Sequence, residues 1–393
     1  MIIHFHYSLV ANSGDVKRIS NIDKEFAGFY HDSTIEVVFF PFKKIKEIKK
    51  LVPFTLSEFT KKKYLIPRFR LGFVLNNFYQ SLILGLFCLF YHPRVLIGEM
   101  AFPNHLVRFV KKLCPSTIII ADIHGAAVDE YQYLNPNIEK KRLKHIQITD
   151  QYTTQSADYV ICQSDEMKRY LTTRYNVCPE KILVFRCGYD SSLFVYDRSL
   201  RNQTRQELGV DSDAVLFVYS GGLHRWQKIE DSLRLFSSFH HLHPTAKMLM
   251  LTGDSAQLTE TLSKEEFASI QDAVVTRSVT FQEVPTYLNA CDIAFLIRDN
   301  HTMNAVASPT KLAEYLACGL PVISSEVSRY WVTPDAEQYL LMYDKASILQ
   351  DIDNSLSSVD RETIAQYALH HFSLSIDRKN LTAFLNKREE RKK

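Results

Sequence analysis

The sequence predicts an α/β protein of two Rossmann-like domains in tandem, and three observations carry that expectation. Short apolar runs alternate with helical segments along most of the 393 residues, the pattern of parallel sheets wrapped by helices. The length exceeds the roughly 250 to 300 residues at which single cores stop growing. Glycine is scarce, 12 in the whole chain, yet several follow an apolar run: Gly125 after TIIIADIH, Gly188 after ILVFRC, Gly221 and Gly222 after AVLFVYS, Gly253 after KMLMLT. Open α/β sheets build their ligand sites at such strand ends.

In the first half, strands are expected near Ile2–Tyr7, Ile35–Phe39, Val95–Gly98, Thr117–Ala121, Tyr159–Cys162 and Ile182–Phe185. The second half is more regular. A strand at Val215–Ser220 leads to a helix at Glu230–His241, a strand at Lys247–Thr252 and a helical region from Leu258. A short strand at Val279–Phe281, a helix at Thr286–Cys291 and a strand at Ile293–Ile297 follow. The polar stretch YDSSLFVYDRSLRNQT places the domain boundary, giving domains over residues 1–192 and 193–365 and a C-terminal helix over 366–393 that packs back on the first domain.

Charge is nearly balanced, 47 basic against 44 acidic residues, which gives no reason to expect a nucleic-acid partner. Its distribution is uneven. Between residues 40 and 70, ten lysines and arginines face only Glu47 and Glu58, with Phe40, Phe42, Phe54, Phe59, Tyr64 and Phe69 interleaved. That segment reads either as a membrane-surface contact or as a solvated loop around buried aromatics. Seven cysteines without C-x-x-C spacing read as reduced residues of a cytoplasmic protein. MIIHFHYS reads as a first strand rather than a signal peptide, and LILGLFCLFY is shorter than the ~20 residues a membrane span needs, so a buried or interfacial helix is expected there.

The stretch SPTKLAEYLACGLPVISS, Ser308 to Ser325, holds the densest signal. Ser308 suits an N-cap, Pro309 the first helical position, and Gly319 the left-handed stop. Ser308, Thr310 and Lys311 at the helix start could bind a phosphate, while Glu314 one turn in accepts bonds from a diol. Phosphate beside diol describes a nucleotide. A capped amphipathic helix with a surface Lys/Glu pair explains the same residues without a ligand.

Taken together, these segments resemble the retaining glycosyltransferases of the GT-B fold, the group often called group 1 or glycogen-synthase-like. YSGGLHRWQK is similar to that family's glycine loop, LTGD to its next strand end, VTFQEVPTYLNACDIAFL to the segment that brackets the nucleobase, and SPTKLAEYLACGLPVI to its most specific motif. DIHG, VICQSDEMKRYL and RCGYDSSLF in the first half also have family counterparts. The resemblance implies two Rossmann-like domains with parallel sheets facing across a cleft, and metal-independent, retaining transfer of a hexosyl-type sugar from a nucleotide-sugar to a hydroxyl acceptor. It needs no cofactor, and a UDP-sugar is favoured over a GDP-sugar as donor. His124 is implied beside the sugar as the catalytic residue. Gly221, Gly222, Arg225, Lys228 and Ser308 to Lys311 (Ser308, Pro309, Thr310, Lys311) are implied at the diphosphate, Glu314 at the ribose, and the loop Glu283, Val284, Pro285 at the base. Gly14, Asp129 and Glu130 are the acceptor-side candidates, for a glycan or lipid-linked glycan. The setting implied is assembly of a surface polysaccharide or glycolipid in the cytoplasm, at the inner membrane face.

The chain departs from the family pattern in places. Where members often carry a first glutamate, eight residues before Glu314, this chain has Val306; the frequent arginine and lysine of the glycine loop fall on Gly222 and near Gln227. A weakly catalytic nucleotide-sugar-binding partner or regulator, and a nucleotide-sugar epimerase, are the alternative expectations. Two metal-like patterns carry little weight. DSD at Asp211–Asp213 precedes its strand and so lies at the wrong sheet end, and HHLHP at His240–Pro244 sits at a helix end where histidines favour the dipole.

Overall fold

The computed structural model describes residues 1–7, 14–44, 55–69, 72–100, 102–103 and 105–390. The chain divides into two compact units, Met1–Cys187 with Asp377–Lys393, and Gly188–Ile376. The first holds strands β1 Ile2–His6, β2 Thr34–Pro41, β3 Thr60–Arg68, β4 Val95–Glu99, β5 Ile118–Ile123, β6 Tyr159–Cys162 and β7 Ile182–Val184. The second holds β8 Leu216–Ser220, β9 Lys247–Leu251, β10 Val274–Arg277, β11 Ile293–Leu296, β12 Val322–Ser324 and β13 Leu340–Met342.

The sheets run β3-β2-β1-β4-β5-β6-β7 and β10-β9-β8-β11-β12-β13, and every pairing is parallel. These are two doubly wound Rossmann-like sheets. In each, the winding reverses beside the first strand, between β1 and β4 and between β8 and β11, and the crevice at such a reversal collects ligands at the carboxyl strand ends. Strands β1, β4, β5, β8 and β11 are buried along their whole length, which is why they read as largely apolar runs.

Three strands differ from expectation. The strand expected at Val279–Phe281 lies earlier, at Val274–Arg277, a four-residue edge strand. β3 was not expected, because its sequence TKKKYLIPR carries three lysines and a proline; it is the sheet edge, where charge and proline are tolerated and discourage pairing with another chain. β13 is three residues long and was also unforeseen. Helix Leu374–Glu390 sends Leu381 and Leu385 into the first unit's core beside Ile2, Ile97 and Ile120, with Phe384 edge-on to Tyr159. No helix among the described residues is long and apolar enough to cross a membrane.

Gly319 closes helix Thr310–Ala317 at φ 72°, and a Cβ there would lie 2.5 Å from the Arg361 carbonyl oxygen. Gly319→Ala therefore meets both a left-handed backbone and a fixed carbonyl, and should destabilise the fold by about 2–4 kcal/mol. Gly253→Ala, with nothing within 4 Å, should stay within about 0.5 kcal/mol. Urea denaturation followed by circular dichroism measures both.

Candidate functional site

In the second unit, the chain leaves β8 through Gly221 at φ 124°, a conformation that side chains resist. A Cβ at Gly221 would also fall 2.4 Å from the Lys311 ammonium. The missing side chain is the space that the lysine fills. Lys311 comes from the first turn of helix Thr310–Ala317; its Nζ donates to Tyr219 Oη at 3.0 Å and Gln227 Oε1 at 3.2 Å and lies 4.5 Å from the centre of the Tyr219 ring. Both hydrogen-bond partners are neutral. Burial, then the nearby Arg298, pulls the Lys311 pKa down to about 7, against a smaller opposing pull from Glu314.

The glycine loop is pinned from three sides. Tyr219 Oη donates to the Gly222 carbonyl at 2.6 Å, Leu223 N donates to Asp254 Oδ2 at 2.9 Å, and Ser220 N donates to Tyr315 Oη at 2.8 Å. Opposite, at the end of β11, Arg298 and Asp299 complete the rim. Helix Thr310–Ala317 starts one residue later than expected: Pro309, not Ser308, holds the N-cap position, at φ −72° and ψ 113°, and no side chain caps it. A proline carbonyl can take the cap role but offers no side-chain acceptor, so the first amides stay available to an anion.

The remaining donor-side candidates are placed as follows. Arg225 is exposed, in a single turn Arg225–Gln227. Lys228 sits at φ 51° and is tied to Asp231 at 2.8 Å and Asp299 at 3.3 Å. Glu314 lies half-buried in the helix behind Lys311. Glu283 holds the N-cap position of helix Val284–Ala290 without a side-chain cap; its carboxylate instead accepts from Thr280 N and Oγ1, both at 2.7 Å, and Val284 and Pro285 open that helix with buried side chains. Val306 is 2% exposed in the core.

In the first unit, His124 follows β5 directly, 9% exposed. Its Nε2 lies 2.5 Å from Glu99 Oε2 and 2.8 Å from Asp122 Oδ2. Behind these carboxylates stand two more cations: His4 Nε2 is 2.7 Å from Glu99 Oε1, and Arg18 donates to Asp122 Oδ1 at 2.5 Å. Asp23 accepts from Thr34 at 2.9 Å and from Ser57, and lies 3.4 Å from His4 Nδ1. Burial alone would lower both histidines, but the carboxylates win: His4 is raised to about 9, and His124 well above its ordinary value. Burial would raise Glu99, and its two histidine neighbours instead hold it far below the usual carboxylate range. Glu99, Asp122 and His124 offer ligand atoms within 4.8 Å of one another, though an ion there would compete with Arg18 and His4 for the same carboxylates.

His124 and Glu99 open onto a cavity of about 680 Å³. Its other walls include Tyr7, Arg68, Asn76, Gln80 and a stripe on helix Lys140–Ser156 made of Arg142, His145, Thr149 and Asp150. Burial pushes Asp150 up to about 7, despite a hydrogen bond from Tyr175. Of the acceptor-side candidates, Glu130 leans over the turn beside the cavity, its Oε2 placed 3.3 Å from where a Cβ on Gly125 would be. Asp129 turns away to accept from Tyr170 Oη at 2.6 Å. Gly14 begins helix Gly14–Tyr30, and the segment before it lies outside the described residues. Sequence reasoning missed Arg298, Tyr219, Arg18, Glu99 and the helix stripe. The stripe had a signal, since 142, 145, 149 and 150 follow helical i, i+3, i+7, i+8 spacing.

Residues 214–358 match the family model of glycosyl transferases group 1. That group 1 match spans the glycine loop, Arg298, Lys311 and Glu314. Over 98% of the chain, the fold matches sucrose-phosphate synthase from Thermosynechococcus elongatus, at 15% identity, 98% of that chain and TM-score 0.72. It also matches HepE from Anabaena in complex with UDP, at 13% identity, 99% of that chain and TM-score 0.70. The lipopolysaccharide outer core galactosyltransferase WaaB in its apo form matches at 14% identity, 99% of that chain and TM-score 0.66. The fold is GT-B. By sequence, no curated protein matches the chain.

Glu99→Gln removes the carboxylate nearest His124. The pH at which His124 loses its proton should then fall toward the ordinary imidazole range near 6.5, read from its ring nitrogen shifts by NMR.

Proposed function

We propose that the protein is a glycosyltransferase that moves a hexosyl-type sugar from a nucleotide-sugar to a hydroxyl acceptor, with retention and without a metal ion. The observation that carries this reading is the Lys311 ammonium. It stands half-buried at an uncapped helix start, with neutral hydrogen-bond partners and a pKa brought down to about 7, a state that a diphosphate would relieve. The group 1 match over residues 214–358 supports the reaction class. Lys311, Arg298 and the helix amides hold the leaving diphosphate, with Lys311 standing in the space that Gly221 leaves. Glu314 accepts from the ribose hydroxyls, and the start of helix Val284–Ala290 stands at the base. His124, kept protonated by Glu99 and Asp122, donates to the transferred sugar.

UDP is favoured as the nucleotide because the structural neighbour HepE has been seen with UDP and with UDP-glucose. The acceptor is a glycan, free or lipid-linked, in assembly of a surface polysaccharide or glycolipid on the cytoplasmic side of a membrane; WaaB, a neighbour, acts on lipopolysaccharide outer core. A second reading is favoured by Val306, whose burial leaves an apolar side chain where the family often has a carboxylate: a protein that binds the nucleotide-sugar yet transfers it poorly.

Calorimetry with UDP, GDP, ADP and CMP tests the donor site, and assays of donor hydrolysis and transfer separate the two readings. UDP binding should weaken roughly tenfold or more in Lys311→Met and in Glu314→Ala. The pH dependence has a definite sign. Above pH 7 free Lys311 is largely neutral, so binding must take up a proton; affinity should fall as pH rises beyond about 7, by up to about tenfold per unit. Lys311→Met should lose that slope. Equal UDP affinity in both variants and the parent would overturn the site.

A further inference from the structure

The twenty residues of helix Gly72–Tyr91 include no charged side chain. Its inner side is in the core of the first unit through Ser81, Leu84 and Cys88, each fully buried. Its outer side is a second apolar face, bordered by Phe109 of helix Leu106–Leu113, which meets Phe78 edge-on at 6.3 Å. Leu75, Phe78, Leu82, Leu86, Leu89 and Phe90 are 41–76% exposed, and at 100° per residue they fall within an arc of about 120°. Six large apolar side chains on one exposed face exceed the scattered exposure normal for a monomer surface. The face extends sideways, because Tyr79 packs on Phe69 at 5.9 Å and Phe69 on the exposed Phe42 at 5.5 Å.

The neighbours of this face are basic on both flanks. On one side runs edge strand β3, whose Lys62 Nζ stands 5.9 Å from the Tyr91 ring at the helix end, with exposed Lys61 beside it. On the other side helix Leu106–Leu113 packs against it: a Cβ at Gly85 would meet Leu113 Cδ1 at 3.7 Å. That helix carries exposed Arg108 and Lys112. None of the three elements holds an acidic residue.

We propose that the outer face of helix Gly72–Tyr91 docks the protein on an anionic lipid bilayer, lying in the headgroup region with its flanking cations toward the lipid phosphates. The surface goes beyond the basic segment 40–70, of which it recruits only the edge strand and Phe42 and Phe69. An uncharged, apolar face between cationic rims fits lipid chains flanked by anionic headgroups. A second copy of the chain fits less well, since pairing two such faces brings the same cations together. The helix also borders the cavity, through Asn76, Asn77 and Gln80. Docking thus brings the cavity beside the headgroups, and in this respect alone the inference rests on the proposed transfer to a lipid-linked acceptor.

Co-sedimentation of the full-length protein with vesicles tests it, using phosphatidylcholine alone and phosphatidylcholine with a third phosphatidylglycerol. The expected result is binding to the anionic vesicles that weakens with salt, and little binding to the neutral ones. Leu86→Glu with Phe90→Glu should lower partitioning by about tenfold or more, and Lys61→Glu with Lys62→Glu by about tenfold. Because all four residues are exposed, the variants should fold, which circular dichroism checks; Leu86→Ser with Phe90→Ser replaces the first pair if it does not. Unchanged partitioning in the apolar variant, or no binding by the parent protein, overturns the proposal. So does a dimer in sedimentation velocity that the apolar variant dissolves, which would make the face a self-interface. UDP affinity should not change in any of these variants, so a failed donor site and a failed membrane face give separate results.

Discussion

The second unit's site depends on one half-buried ammonium group whose hydrogen-bond partners are neutral. Lys311 can stand there because Gly221 has no Cβ, because the Tyr219 ring offers its electron-rich face, and because Gln227 and Tyr219 supply neutral acceptors. The arrangement is costly for the apo protein, as the lowered pKa records. A strongly perturbed group at the carboxyl ends of the strands marks a candidate ligand site. Gln227, where the resembled family often has a lysine, then has a physical sense: a cation at that point would repel Lys311, while the amide oxygen accepts a hydrogen bond from its ammonium.

The first unit solves the opposite problem. Here Glu99 and Asp122 come from the ends of adjacent strands β4 and β5, paired residue to residue, so their carboxylates are forced close together. The sequence answers with His4 on β1, Arg18 on the following helix, and His124 two residues after Asp122. Three carboxylates with Asp23 and three cations alternate through a nearly dry interior. Each member is satisfied only if its neighbours keep their charge, so the network fixes His124 in both place and protonation state. Removing any one member leaves an uncompensated charge, which makes Arg18 and His4 positioning residues for His124.

The strand-end glycines and the helix at Ser308 to Gly319 were legible because they obey local rules: an apolar run, a turn residue, a periodic segment with a glycine stop. His124 was legible for the same reason, since it follows a strand and precedes a glycine. The carboxylate network was not, because Asp23, Glu99 and Arg18 meet only through the β2-β1-β4-β5 strand order, which no local pattern encodes. Edge strand β3 was hidden by its own function at the edge, its lysines and proline reading as loop. The domain-scale pattern survived these misses because inner parallel strands must be apolar throughout, whereas edges need not be.

The exposed face of helix Gly72–Tyr91 shows how apolar content alone misleads. A run such as LILGLFCLFY, too short to span a bilayer, satisfies a buried helix and an interfacial helix equally well, and only its two faces separate them. One face is occupied by the sheet, with Leu84 and Cys88 fully buried, so the helix cannot leave the domain to span a bilayer without emptying that core. Losing two such side chains from a core costs several kcal/mol, on the order of 2–5 for each large residue, against a domain stability of about 5–15. The outer face remains apolar under no such constraint from the fold. The fold thus accounts for the inner face of the helix but not the outer one, and the outer one is the face that the proposed docking uses.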